Sequence, residues 1–352
     1  MKKDIYAVIL AGGAGTRFWP KSRQQFPKQF LPIIGNKTLL EMTCERILKK
    51  VLPGNVYIVT NKDYRALIQK QIISYKIPAK NVLYEPVGKN TAPAIAWIAG
   101  YLNKMNPDAL MMVLPSDHYI RETRAYLKIM QQAIDLAQKD YLVTLGIVPT
   151  RPDTGYGYLK VKSTSPSKNQ VLKVEKFTEK PTLPVAKRFL RAKKYLWNSG
   201  MFIWKAAVIL DEFERHLPRL HWALSKGVSQ RGISRKWKGL PGVSIDYGIL
   251  EKAKNVVAVP ALKIGWSDLG SWESLYDQLP KDRQGNVLKG DVLALNARNS
   301  FVWSEKRLVG VIDAEHLIVI DTPDALLVCP RESAQKVRAI IDILKKKKSR
   351  LV

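Results

Sequence analysis

Residues 5–30 read IYAVILAGGAGTRFWPKSRQQFPKQF. The apolar run Ile5–Leu10 is rich in strand formers and stops at a glycine turn, which predicts a buried strand rather than a helix. Met1-Lys2-Lys3 ahead of it imitates the start of a signal peptide. The apolar stretch is short for that purpose, and strand is the better reading. In a doubly wound α/β sheet such a turn lies at the carboxyl edge of the strands, where ligands bind. Glycines there let main-chain N–H groups approach phosphate oxygens. Arg17 and Lys28 add permanent positive charge to the same mouth, Arg17 with forked geometry and Lys28 as a point charge. A tight turn with no ligand accounts for the glycines alone, but not for the cations that follow. The loop lacks the Gly-Lys-Ser/Thr of a P-loop. It also fails the G-x-G-x-x-G fingerprint, because the position three after Gly15 is Phe18.

Outward from this stretch the chain alternates. A helix over 38–50 is opened by Thr38 and Glu41, spaced as a capping box. Strands are predicted over 56–60, 82–84, 110–114 and 141–148, with helices over 63–75, 92–102 and 122–139 between them. This order predicts an α/β, Rossmann-like, mostly parallel sheet. The middle third is less regular: GYGYLKV, VLKVEKF and GMFIWKA read as strands, with helices near 184–194, 206–216 and 244–252. It is expected to extend the same sheet. From about Gly285 short strands broken by turns predict a small β-rich C-terminal domain. A closing helix over 333–344 carries Val337, Ile340, Ile341 and Leu344 on one face. The expected division is 1–284 and 285–352, and no internal repeat stands out.

Fifty-eight Lys and Arg against thirty Asp and Glu give a net charge of +28 in 352 residues. That balance favours polyanionic partners, with nucleotides, nucleic acid and acidic membranes as the classes it admits. The basic residues are scattered, and the one dense block, KKKKSR at 345–350, reads first as a solvated helix end. No nucleic-acid-binding motif accompanies the charge, so no nucleic acid partner is expected. Two cysteines, Cys44 and Cys329, are too few for a disulfide framework and fit a reducing compartment. No apolar stretch approaches the roughly 20 residues that cross a bilayer, so no membrane partner and a cytoplasmic location are expected.

The opening loop resembles the N-terminal signature of the sugar-nucleotide pyrophosphorylases, and among them the mannose-1-phosphate guanylyltransferases. Further segments match in order: EPVGKNTAPAIA at 85–96, PSDH at 115–118, TGYGYL at 154–159, FTEKP at 177–181, WNSGMF at 197–202, IDYGILEKA at 245–253 and GWSDLGSW at 265–272. Each piece is short, but the ordered set is specific. It covers about residues 4–280 strongly and the rest weakly. Phe18 and Lys21 stand where many relatives carry Leu. The chain lacks the cupin domain of longer bifunctional members, so isomerase activity is not expected.

The resemblance implies a fold, a reaction and a set of site residues. The fold is that of the nucleotide-diphospho-sugar transferases. The reaction joins GTP and mannose 1-phosphate, releasing pyrophosphate. By the same resemblance Leu10, Ala11, Gly12, Gly13, Gly15 and Thr16 line the nucleotide, with Arg17 and Lys28 on its phosphates. Asp117 and Asp268 hold Mg2+, a hard ion suited to oxygen ligands. Glu179 accepts from sugar hydroxyls, Lys180 meets the sugar phosphate, Asn198 makes a second sugar contact, and Gly155 and Tyr156 form a wall. Asp246 and Glu251 lie near the site without an assigned role. Trp197 and Met201 are read as core, and His118 as a supporting neighbour of Asp117. The β-rich C-terminus and closing helix can form a homodimer contact.

One inference is chemical. Guanine presents two adjacent donors, N1–H and N2–H2, and a carboxylate accepts both in parallel. Glu85, where relatives using other bases tend to carry glutamine, is the candidate reader. The helix beginning at Asn90 and Thr91 can add its positive end to nucleotide binding. Two other readings stay open: a sister enzyme using another nucleotide or hexose 1-phosphate, and a regulatory paralogue that binds without turnover.

Overall fold

The strand Ile5–Leu10 (β1) is buried along its length and pairs in parallel with Val56–Asn61 (β2) on one side and Leu110–Pro115 (β4) on the other. The computed structural model describes residues 4–13, 15–162, 166–167 and 170–352. Val82–Glu85 (β3) continues the parallel set beyond β2. Leu142–Ile147 (β5), Tyr158–Val161 (β6), Leu172–Thr178 (β7), Tyr195–Lys205 (β8) and Val256–Pro260 (β9) complete one nine-stranded sheet in the order β3-β2-β1-β4-β8-β5-β9-β7-β6. β8 runs against both β4 and β5, and β7 runs against β9 and β6. The remaining strands share one direction, so the expected mostly parallel sheet is present and the irregular middle third does extend it.

The helices are α1 (Leu39–Ile47), α2 (Arg65–Ile72), α3 (Thr91–Met105), α4 (Thr123–Ala137), α5 (Leu183–Ala192), α6 (Ala206–His216), α7 (Pro218–Leu224) and α8 (Gln230–Trp237). The capping box is reciprocal: the Glu41 amide donates to Thr38 Oγ1 at 3.2 Å and the Thr38 amide to Glu41 Oε2 at 2.7 Å. The helix expected over 244–252 is instead a single π turn, Asp246–Leu250. Such turns are uncommon and recur at functional sites. The short α7 and α8 were not legible as separate helices.

Contacts divide the described chain into two compact units. The first holds 4–12, 43–116 and 120–266, and the second holds 13–42, 117–119 and 267–352. In the first, α3 is buried over nearly its whole length, which its Ala- and Gly-rich sequence permits. Trp97 on α3 meets Trp237 on α8 edge to face at 5.8 Å. Both indole N–H groups are satisfied by main-chain carbonyls, those of Val228 and Val87.

The second unit contains α9 (Trp272–Gln278), β10 (Val287–Lys289), β11 (Val292–Leu295), β12 (Phe301–Ser304), β13 (Val309–Ile312), β14 (Leu317–Asp321), β15 (Leu326–Pro330) and α10 (Val337–Lys346). β10, β12 and β14 stack in parallel, as do β11 and β13. The chain therefore coils, and it does so with a repeat the sequence reading did not find. Val292 lies on Val309 and Phe301 on Ile318, seventeen positions apart in each case. The corner residues Asn296, Asn299, Asp313 and His316 all take left-handed backbone, and Asn296 Nδ2 donates to Asp313 Oδ1 at 3.0 Å. Short polar side chains tolerate that conformation. Because the repeat is carried by backbone shape, its residues match in kind rather than identity. Phe18, Trp272, Phe301, Ile318 and Ile341 share the core of this unit. The closing helix begins later than expected, after a 3-10 turn at Arg331–Lys336.

A Cβ placed on Gly100 of α3 would lie 2.2 Å from the carbonyl oxygen of Leu224. Helix propensity alone would make Gly100→Ala more stable by ~1 kcal/mol. The close approach of two backbones reverses that sign, and thermal unfolding is expected to show a net loss of about 1–3 kcal/mol.

Candidate active site

The loop after β1 is anchored before it is exposed. The Ala11 amide donates to the Val59 carbonyl at 2.8 Å, and the Leu10 carbonyl accepts from the Ser116 amide at 3.1 Å. Gly12 and Gly13 are exposed, while Gly15 takes left-handed backbone with φ of 54°. A Cβ at Gly15 would stand 2.5 Å from the Lys28 amide nitrogen. Glycine is therefore required there on two grounds: the dihedral and the space. Thr16–Phe18 form a 3-10 turn that buries Phe18 and leaves Arg17 outside.

Lys28 is 5% exposed, and its ammonium is fully occupied. Nζ lies 2.8 Å from Asp117 Oδ2, 2.7 Å from the Asp268 carbonyl oxygen and 3.2 Å from that of Leu269. Burial by itself raises the Asp117 pKa, but Lys28 and then His118 outweigh it and hold the carboxyl below its usual range. The expected place of His118 beside Asp117 agrees, with Nε2 4.0 Å from Oδ1. Asp268 sits in a turn whose next residue, Leu269, has φ of 46°, and its Oδ1 accepts from the Gly270 amide at 3.1 Å. Gly15, Thr16, Arg17, Lys28, Asp117, Asp268 and Gly270 line one cavity of about 330 Å3. Residues about 250 positions apart in sequence are thus brought to a single opening. Arg338, Asp342 and Lys345 of α10 line it as well. Sequence reading missed these three, since a charged stripe on a terminal helix looks like any solvated face.

In the first unit, Glu85 ends β3 with 4% exposure. Its Oε1 has no hydrogen-bond partner among the described residues, and Oε2 lies 2.9 Å from where a Cβ on Gly12 would be. Burial pushes its pKa up to about 7. A buried carboxylate without a donor is costly unless something supplies one. Asn90 caps α3 by accepting from the Thr91 amide, and Thr91 Oγ1 accepts from the Ile245 amide. With the Ala92 amide bonded to the Val243 carbonyl, two of the free amides of that helix end are already used.

A second cluster surrounds Asn198 on β8. Its Nδ2 donates to Asp246 Oδ1 at 3.0 Å, and its Oδ1 accepts from Thr144 Oγ1 at 2.9 Å. Asp246 is carried by the π turn. Burial first, and the Glu179 charge second, push its pKa up to about 7. Glu179 pairs with Lys180 at 2.7 Å, with Glu179 nearly buried and the lysine largely exposed. Tyr156 packs on Trp197 and Trp266 at 4.8 and 5.5 Å, and the neighbouring Gly155 amide donates to Asp153 Oδ1. Trp197 and Met201 are buried, as expected. Glu251 is exposed. Both cysteines are free thiols.

A glycine loop closing on a clamped lysine, with two aspartates and an exposed arginine on one cavity, is an arrangement suited to the phosphates of a nucleotide. The family profile described as "Nucleotidyl transferase" matches residues 6–285, and one described as "MannoseP isomerase/GMP-like beta-helix domain" matches 290–344. A protein of Salmonella muenchen named mannose-1-phosphate guanylyltransferase is 38% identical over 97% of this chain and 73% of its own length. The alginate biosynthesis protein AlgA of Pseudomonas aeruginosa is 36% identical over 95% of this chain and 71% of its own. A crystal structure from Thermus thermophilus, named a mannose-1-phosphate geranyltransferase, superposes with a TM-score of 0.86 at 34% identity, covering 97% of this chain and 99% of that one. The chain belongs to the nucleotidyl transferase family, and within it to the mannose-1-phosphate guanylyltransferases. The coiled C-terminal strands agree with the β-helix profile.

Asp246 has a raised folded pKa, so its contribution favours the fold at low pH and is lost as pH rises from about 4, the ordinary carboxylate value, to about 7. Asp246→Asn keeps the acceptor for Asn198 and removes the ionisation. The melting temperature of the variant relative to the parent protein is expected to climb between pH 4 and 7 and to level off above; a flat difference would contradict the assignment.

Proposed function

We propose that this protein transfers the guanylyl group of GTP to mannose 1-phosphate, yielding GDP-mannose and diphosphate. The observation that carries it is the single cavity lined by Arg17, Lys28, Asp117 and Asp268 behind the glycine loop. An oxygen of the sugar phosphate attacks the α-phosphorus in line. The new P–O bond forms as the bond to the β-phosphate oxygen breaks, and the electron pair leaves with diphosphate. No enzyme-bound covalent intermediate is needed, so the residues act by position and charge.

Lys28 is held rigidly by Asp117 and two carbonyls, so its charge is oriented before substrate arrives. Arg17 forms no salt bridge among the described residues and stands free to fork onto the terminal phosphates. Asp117 and Asp268 fit a hard divalent cation: both supply carboxylate oxygen and both line the cavity. That pattern suits Mg2+, which keeps water and takes phosphate oxygens; when bound it supplies charge neutralisation on the phosphates. Glu179 is the acceptor for sugar hydroxyls and Lys180 the cation for the sugar phosphate. Asn198 has one Nδ2 hydrogen committed to Asp246 and a second for the sugar. Gly155 and Tyr156 bound the sugar. Leu10, Ala11, Gly12, Gly13, Gly15, Thr16, Asn90 and Thr91 shape the nucleotide's surroundings.

Glu85 reads guanine in this proposal. Its unpartnered oxygen and its raised pKa describe a carboxyl waiting for donors, and two N–H groups would favour its ionised form. The division at 284/285 belongs to the same reading. So does a homodimer, for which the exposed Leu293, Leu295 and Ile312 on β11 and β13 are the supporting feature. Among the described residues no helix is long and apolar enough to cross a membrane. We place the activity in the cytoplasm, where two free thiols stay reduced.

Purified protein with Mg2+, GTP and mannose 1-phosphate is expected to release diphosphate, and chelation is expected to stop it. Asp117→Asn or Asp268→Asn should lower kcat by about 100-fold or more. Turnover unaffected by either replacement overturns the mechanism. Glu85→Gln should lower kcat/KM for GTP relative to UTP and dTTP by about 10- to 100-fold, the worth of charge-assisted hydrogen bonds. Unchanged base preference removes Glu85 from recognition.

A further inference from the structure

The cavity behind the glycine loop has a wall to which nucleotidyl transfer, as derived from Arg17, Lys28 and the two aspartates, gives no role. α10 packs against the Thr16–Phe18 turn, and its residues Arg338, Ile341, Asp342 and Lys345 face the same opening as Arg17 and Lys28. Their spacing of three to four places them on one side of the helix. Val337 and Ile341 are buried in the core of this unit, which fixes the rotation of the helix. The end of the chain is tied to the same loop: Trp19 Nε1 donates to the Leu351 carbonyl at 2.9 Å, and the Gln24 amide to that of Val352 at 3.1 Å.

Among the described residues neither Arg338 nor Lys345 has a carboxylate partner within salt-bridge distance. For Lys345, in the last turn of α10, attraction to the negative helix end is sufficient reason to be there. Arg338 is different. It lies where the 3-10 turn Arg331–Lys336 runs into α10, far from the negative helix end, so the helix field supplies no such reason for it. A forked cation that faces a cavity beside Arg17 and Lys28, with no carboxylate partner among the described residues, calls for an anion in that cavity.

We propose that Arg338 and Lys345 bind the leaving diphosphate and set the protein's affinity for it. The inference rests on the nucleotidyl-transfer reading and extends the phosphate site from the glycine loop to the C-terminal helix. The charge count agrees. Arg17, Lys28, Arg338 and Lys345 face Asp117, Asp268 and Asp342, a surplus of one positive charge. A diphosphate therefore enters together with a divalent cation, which makes up the remaining charge. Arg338 provides the fork and Lys345 the point charge, the same division seen in Arg17 and Lys28.

The test is calorimetric titration of inorganic diphosphate, with Mg2+ present, into the full chain and its variants. Arg338→Gln and Lys345→Gln should each raise Kd by about 10-fold, the worth of one charge-assisted hydrogen bond. Arg338→Lys should recover part of the loss. Lys346→Gln, of equal charge change but outside the cavity, should leave Kd unchanged at the same ionic strength. The KM for mannose 1-phosphate should not move in any variant. Parent-like diphosphate binding in both glutamine variants overturns the proposal, as does an equal loss in Lys346→Gln. Diphosphate is common to every transfer from a nucleoside triphosphate. Failure of GTP and mannose 1-phosphate to react would therefore sink the substrate assignment, while the diphosphate titration still decides the role of α10.

Discussion

The ammonium of Lys28 holds the cavity of the second unit together. Three segments distant in sequence meet on it: its own turn after Pro27, the carboxylate of Asp117, and the carbonyls of Asp268 and Leu269. A buried lysine is tolerated only when its donors are satisfied, and here all three are. The contact is therefore structural and chemical at once. It fixes two aspartates at the rim of one cavity and, in the proposed function, keeps a positive charge where a phosphate arrives. Gly15 is the condition for it, because any side chain at that position would occupy the space of the Lys28 backbone.

In the proposed reaction Lys28 and Arg17 divide the labour of holding phosphates. Lys28 cannot move without breaking an ion pair and two carbonyl contacts, so its contribution is preorganised. Arg17 protrudes from a turn whose buried residue, Phe18, is locked edge to face on Trp272 at 4.8 Å. The turn under Arg17 is anchored by that packing, and the guanidinium forms no salt bridge among the described residues. An exposed fork on an anchored turn suits the proposed role, in which a triphosphate is gripped and a diphosphate let go.

Much of this was legible in the sequence where a feature is local. β1, its glycine turn and the Thr38/Glu41 box each depend on a few adjacent residues, and each is found as expected. Arg17 and Lys28 stood out from the charge beside the glycine loop, Asp117 and Asp268 only through a family resemblance, and the fold brings all four to one cavity. What stayed hidden was nonlocal. The coil of β10 to β14 repeats in backbone shape, with Asn296 answering Asp313 and Asn299 answering His316, so identity gave no period to find. Asp246 gained its surroundings only when a π turn set it beside Asn198, and an ordinary helical reading of 244–252 gave no reason to expect that. The cavity face of α10 was invisible because Val337 and Ile341 declare the apolar stripe, while nothing in one sequence says what the adjacent charged stripe will meet.

The two kinds of ionisable group in this chain fall into a chemical pattern. In the cavity of the second unit Asp117 is paired with Lys28, Asp268 accepts from the amide of its own turn, and the pKa of Asp117 is held down. In the other unit Glu85 and Asp246 are carboxyls with raised pKa values and few donors. Phosphates carry full charge at any working pH, and fixed cations are the direct answer to them. A purine base or a sugar is neutral and rich in N–H and O–H donors, and its natural complement is a buried acceptor that gains its charge as the donors arrive. A desolvated carboxyl discriminates strongly for that reason: a ligand lacking the donors leaves it unpaired in a dry place, and the loss is larger than one hydrogen bond made to water would suggest.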